Sequence, residues 1–196
     1  MFGLDNIFEA VYLTGFVVGS VIRGLYTRRY RQNKIADKHK NRLDILLVSL
    51  AGVGLIMPLL YLFTGWLNFA DYPLPAVAGW VGTAVFIVAL WLLWRSHVAL
   101  GLNWSAKLEI REGHSLVTAG VYKHIRHPMY AAHWLWGIAQ ALLLQNWLAG
   151  PALLVTFAGL YLVRVRREEQ MMLEKFGEEY RSYMNRTSRV IPRLWR

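Results

Sequence analysis

From Met129 to Val163 the chain carries no Asp, Glu, Lys or Arg. One helix crossing hydrocarbon needs about 20 apolar residues at about 1.5 Å each, so this stretch is too long for a single crossing and must break. Gln145-Asn146-Trp147 followed by Gly150-Pro151 supplies the break, and the stretch reads as a tight helical hairpin. With the apolar runs upstream, five spans are expected: about Ile7 to Leu25, Leu43 to Leu62, Leu74 to Trp94, Tyr130 to Leu144 and Trp147 to Val163. The hairpin arms are short for a bilayer, which calls for local thinning, little tilt, or ends buried in protein. Glu9 and Arg23 lie near the two ends of the first span, where polar side chains reach the interface. With no basic residue between Met1 and Phe8, that span is kept as mature structure rather than read as a signal peptide. A composition that is 56% hydrophobic and only 17% charged belongs to a membrane protein, not a soluble domain. The expected fold class is all-α, a single polytopic membrane domain over residues 1–196 with five transmembrane helices.

The basic residues sort by side. Of 22 Lys and Arg, seven lie in Tyr26 to Arg42, five in Arg95 to Arg126 and nine in Arg164 to Arg196, with Arg23 at the edge of the first span. Met1 to Asn6, Thr64 to Pro73 and Gln145 to Asn146 carry none. The positive-inside rule then places the N-terminus outside and the C-terminus in the cytoplasm. The net charge of +10 is explained by topology, and no nucleic-acid partner is expected. The Arg95 to Pro128 connector is long enough to be functional and is expected to be cytoplasmic. From Arg166 to about Asn185, Leu173, Phe176, Tyr180 and Tyr183 recur at helical spacing among charges, an amphipathic helix under the bundle or on the lipid surface.

The absence of cysteine excludes thiol nucleophiles, disulfides and zinc-thiolate sites. There is no dinucleotide fingerprint, phosphate-binding loop or nucleophile elbow. His97, His114 and His133 are too scattered for a metal site, so no metal is expected. Two clusters remain. In "YKHIRHPMYAAHW", Pro128 suits the first position of a helix, and the unpaired N–H groups of the next turn would lie beside His124, Arg126 and His127, a setting that attracts a carboxylate or phosphate. The plainer alternative is a proline-started helix with interfacial histidines. In the second cluster, Arg164 and Glu168 are four apart on one helix face, with Glu169 beside them. These are either anchoring charges or acceptors for hydroxyls such as those of a ribose.

"GHSLVTAGVYKHIRHPMY" and "RVRREEQMMLEKFGEEYRSYM", separated by a hairpin, closely resemble the isoprenylcysteine carboxyl methyltransferase family, particularly its small five-span prokaryotic members. The resemblance covers about Gly101 to Pro192. It implies an integral membrane enzyme that uses S-adenosyl-L-methionine to methylate a lipophilic, isoprenoid-like substrate at the cytoplasmic membrane face, a carboxyl O-methylation. Carried over to this sequence, it implies a cofactor site built from about 101–130 and 164–192. The contacts it implies are His114, Leu116, Val117, Tyr122, His127, Pro128, Met129, Tyr130, Glu168 and Glu169, with His127 and the helix start on the methionine carboxylate. Arg164 falls where the family has a substrate-facing arginine. The implied partners are a lipophilic small molecule and membrane lipids. Three other readings stay open: a phospholipid-type N-methyltransferase, a sterol-reductase-like enzyme using NADPH, and a non-catalytic membrane scaffold.

Overall fold

A computed structural model describes residues 6–30, 35–38, 42–101, 109–111 and 115–193. Five helices carry the fold: α1 (Ile7–Tyr30), α2 (Arg42–Phe63), α3 (Ala76–Leu100), α4 (Pro128–Leu144) and α5 (Ala152–Arg186). Two short strands, β1 (Ile35–Lys38) and β2 (Glu109–Arg111), pair antiparallel, a feature the all-α expectation lacks. They join the segment after α1 to the segment after α3, where a paired ladder satisfies backbone groups that a loose connection would leave to water.

Among the described residues, three helices are long and apolar enough to cross a membrane: Ile7–Arg28, Arg42–Phe63 and Ala76–Leu100. Their lipid-facing aspect is plain in the exposed Val17, Ile45, Ile56, Trp80, Ile87 and Val98, side chains that water would penalise. The molecule is an integral membrane protein. Helix α4, at 17 residues, spans about 25 Å, short of the roughly 30 Å hydrocarbon thickness. Both its ends, Pro128 and Leu144, are buried.

Helix α4 is the centre of the bundle. It packs along α3 and against α1 and α5, while α2 packs on α5. Tyr12, Phe86 and Trp136, one each from α1, α3 and α4, form a ring cluster with centroids 5.7 Å (Tyr12–Phe86) and 5.1 Å (Phe86–Trp136) apart. Glycines open the way for these rings: a Cβ on Gly15 would strike Phe86, and one on Gly19 would strike Trp136. This is how membrane helices gain dispersion contact without a hydrophobic drive between them. Gln140 is fully buried and accepts from the Tyr12 hydroxyl at 3.0 Å while donating to the Ala149 carbonyl at 2.7 Å, so its amide ties α1 to the hairpin turn.

The hairpin turns where the sequence places it, but the second arm begins at Ala152, not Trp147. Gln145 adopts a left-handed conformation (φ 45°), and the Asn146 carboxamide accepts from the Leu148 and Ala149 N–H groups and donates to Leu67 and Asp71. Residues 147–150 form the turn that these bonds hold. The same bonds, with Tyr72 N–H to the Gln145 carbonyl at 2.9 Å, bring the two connections without basic residues to one end of the bundle.

Helix α5 is also longer than the fifth span. It runs on past Arg164 to Arg186 as two helical stretches joined at a kink, so the stretch expected to form a separate helix begins within the hairpin arm. Its one break is Gly177, whose backbone (φ 52°, ψ −123°) is a conformation that a side chain would oppose.

Candidate active site

The site lies at the end of the bundle opposite the hairpin turn. A 3-10 turn (Gly120–Lys123) leads into Ile125, and the chain from Ile125 to His127 then runs parallel to the segment after α5. Arg126 N–H donates to the Ser188 carbonyl and His127 N–H to the Arg189 carbonyl, each at 2.8 Å. Pro128 takes the first position of α4, as its fixed φ dictates, and no side chain caps that helix start. The Tyr183 hydroxyl closes the other side by donating to the Tyr122 carbonyl at 2.6 Å.

Onto this frame α5 presents two adjacent carboxylates with different surroundings. Glu169 is buried and saturated. Its Oε1 accepts from Arg126 Nε at 3.0 Å and lies 3.3 Å from His127 Nε2, and its Oε2 accepts from Arg189 Nη2 at 2.7 Å. Burial alone would raise the Glu169 carboxyl. The hydrogen bonds from His127, Arg189 and Arg126 outweigh it and hold the carboxyl down at about 2. Arg126 also donates to the Met184 carbonyl at 3.1 Å and to the Thr187 carbonyl, so it ties the loop to the C-terminal end of α5.

Glu168 keeps 26% of its side chain exposed, against 5% for Glu169. Its Oε1 accepts from the Tyr130 hydroxyl at 2.7 Å and from Arg164 Nε at 3.2 Å, and its Oε2 lies 3.6 Å from His127 Nδ1. Tyr130 stacks on the His127 ring at 5.4 Å and meets Phe157 and Tyr161 edge-on. Arg164 is buried, and its Nε also lies 3.9 Å from Asp44 Oδ1, a carboxylate from the first turn of α2. Desolvation works against its charge, but Tyr130, Glu168 and Asp44 more than compensate, so the guanidinium stays charged. Burial, then Tyr183 and Glu168, push the Tyr122 phenol well above its ordinary value.

Tyr122, His127, Pro128, Met129, Tyr130, Arg164, Glu168 and Glu169 thus come together from sequence positions far apart. Leu116 and Val117 are half-buried in irregular backbone ahead of the 3-10 turn. His114 lies outside the described residues. The His127 ring faces two carboxylates, a different setting from the anion-holding role the resemblance implies. Two members of the network were not among the candidates from sequence. Arg189 sits among several arginines of a basic tail, with no spacing to single it out. Asp44 carried a faint signal, a lone acid opening a bilayer-length apolar run. Among the described residues no group of three or more His, Cys, Asp or Glu is arranged to hold a metal.

Fold and site together define a polytopic helical membrane protein with a charged, partly buried site at one end of its bundle, built where a short proline-started helix meets the polar half of a long one. Residues 80–174 match the model of the isoprenylcysteine carboxyl methyltransferase (ICMT) family, a segment running from α3 through both halves of the site. The chain is 34% identical over 90 residues to human protein-S-isoprenylcysteine O-methyltransferase, covering 46% of this chain and 32% of that protein. It is 23% identical to the Dictyostelium discoideum protein of the same name, covering 93% of this chain and 76% of the relative. The solved structure of the eukaryotic intramembrane Ras methyltransferase ICMT superposes with a TM-score of 0.52 at 27% identity, over 80% of this chain and 54% of that one. The chain therefore spans about a third of the human relative's length, and the family match takes in both Tyr122 to Tyr130 and Arg164 to Glu169.

Proposed function

We propose that this chain is an S-adenosyl-L-methionine-dependent carboxyl O-methyltransferase of the ICMT type, acting on a lipophilic, isoprenoid-like acid at the cytoplasmic membrane face. The observation that carries this is the contrast between the two glutamates. Glu169 is locked into the fold, while Glu168, held in orientation by Tyr130 and Arg164, keeps an exposed edge inside the segment that matches the family.

The residues present fit the cofactor that the family implies. A nucleoside needs an acceptor for its hydroxyls and an aromatic lining, which Glu168, Tyr122 and Tyr130 supply; an amino-acid carboxylate is drawn to the positive end of α4, where no side chain caps the helix. When bound, the cofactor supplies a sulfonium methyl group. The protein's task is then largely positional: Tyr130, His127 and Arg164 orient Glu168, and Arg164 also orients the acceptor carboxylate. A carboxylate nucleophile needs no general base. Uniting an anion with a sulfonium disperses charge, so a site shielded from water at the membrane boundary favours the reaction.

The proposal includes five crossings, with the hairpin of α4 and the first half of α5 supplying the last two, the N-terminus outside and the C-terminus in the cytoplasm. Calorimetric titration of S-adenosylhomocysteine into the detergent-purified chain tests the cofactor. Saturable binding by the wild type and its loss in Glu168→Ala support the reading, and no binding by folded wild type removes it. Arg164→Ala is expected to damage acceptor use more than cofactor binding; equal loss of both would take the acceptor role from Arg164.

A further inference from the structure

Arg23 lies within the apolar stretch Ile7–Arg28 of α1, and from sequence its side chain is expected to reach for the interface. The structure turns it inward. Its Nη1 lies 3.3 Å from His133 Nε2 on α4, and His133 Nδ1 lies 2.7 Å from the Met129 carbonyl. A carbonyl only accepts, so Nδ1 carries the proton and Nε2 offers Arg23 a lone pair from a neutral ring. Among the described residues no carboxylate pairs with Arg23.

A guanidinium in an apolar span is costly without an anion, and a second cation nearby adds to the cost. That second cation is Arg164, whose partner Glu168 accepts from Tyr130, a residue that shares α4 with His133 and, like His133, packs its ring on Phe157. His133, stacked at 5.2 Å on Phe157 of α5, links Arg23 of α1 to the helix that carries Arg164. Arg164 has Asp44 and Glu168 beside it, whereas among the described residues Arg23 has one neutral imidazole to occupy one of its five N–H donors. A guanidinium fixed by a histidine inside the bundle, with no carboxylate partner among the described residues, is suited to take an anion from outside the chain.

We propose that Arg23 is a second acceptor-binding residue, forming with Arg164 a two-guanidinium clamp for the carboxylate of a lipophilic acid that reaches the site from within the bilayer. This rests on the methyltransferase reading and adds to it a determinant, supplied by α1, that selects acids over neutral lipids of the same chain.

The test titrates a C15 isoprenoid carboxylic acid and the alcohol of the same chain into the full-length detergent-purified protein, for wild type, Arg23→Gln and Arg23→Lys, each with and without S-adenosylhomocysteine. The wild type is expected to bind the acid more tightly than the alcohol. Arg23→Gln is expected to weaken the acid about tenfold or more, as loss of a charge-assisted hydrogen bond does, and to leave the alcohol and S-adenosylhomocysteine unchanged. Arg23→Lys keeps the charge without the fork and is expected to fall between; it carries the test if the glutamine variant does not fold. An unaltered ratio of acid to alcohol in either variant, or no preference in the wild type, overturns the proposal. If Arg23 instead holds a headgroup phosphate, phosphatidylglycerol will raise the melting temperature of the wild type but not of Arg23→Gln, and the acid-to-alcohol ratio will not move; that result also overturns it. Because the preference is read without cofactor too, a clamp that fails is distinguishable from a cofactor that does not bind.

Discussion

Successive residues on a helix point about 100° apart, so Glu168 and Glu169 meet different partners although they are neighbours in sequence. Three donors converge on Glu169 from the loop before α4 and the segment after α5, which makes it the pin that holds those two segments together. Glu169→Gln leaves Arg126 buried without its counter-charge, and breaking such a pair costs about 3–5 kcal/mol. Denaturant unfolding in micelles is expected to show a loss of that order for Glu169→Gln and a clearly smaller one for Glu168→Gln, while cofactor affinity falls chiefly in the latter. Comparable destabilisation by both would remove the division of labour. The sign of the acid dependence follows from the depressed carboxyl. Glu169 contributes stability that is present above its ordinary value of 4.5 and is lost as pH falls toward about 2. The wild type is therefore expected to lose stability through that window, and Glu169→Gln to lose less there; parallel acid titrations of the two would contradict the ion-pair account.

At the scale of elements, the close approach of α2 to α5 depends on Gly54, where a Cβ would meet the Thr156 hydroxyl and, at 2.7 Å, the Ala152 carbonyl. The carbonyl belongs to backbone and cannot yield as a side-chain end can. Gly54→Val is expected to cost about 1–3 kcal/mol by overpacking and to disturb Asp44, which shares α2 and faces Arg164. A thermal melt that shifts downward, with a matching rise in acceptor KM, is the expected result; an unchanged melt would mean that the two helices separate freely. Apolar runs and the break at Gln145 to Pro151 made the helices legible in the sequence. The hairpin's second arm was placed five residues early because the tight turn is made by Asn146 side-chain bonds to Leu67 and Asp71, contacts from a distant connection. The pairing of β1 with β2 was invisible for the same reason, since neither strand has an alternating pattern and each depends on the other. The site was half legible. The spacing of Arg164 to Glu168 and the proline start of α4 are local facts, whereas Asp44, Arg189 and the inward turn of Arg23 depend on which helices meet.

For the whole molecule, the structure groups its connections by end. The Asp71 to Asn146 pairing joins the two connections without basic residues, and the Ile125 to Ser188 pairing joins two basic segments at the opposite end. A bilayer between those ends would put every long basic segment on one side, the arrangement that the positive-inside rule selects for the cytoplasm. Because the chain contains no cysteine, single cysteines report topology without background. Phe69 is strongly exposed at the end without basic residues, and Glu174 is exposed on α5 beyond the site. In spheroplasts, a membrane-impermeant maleimide is expected to label Phe69→Cys at once and Glu174→Cys only after the membrane is opened. The reverse order would place the site outside and leave the cofactor proposal without a cytoplasmic supply. Labelling of both from one side would mean that the hairpin of α4 and α5 does not cross, and that the site is carried by three crossings with a re-entrant arm.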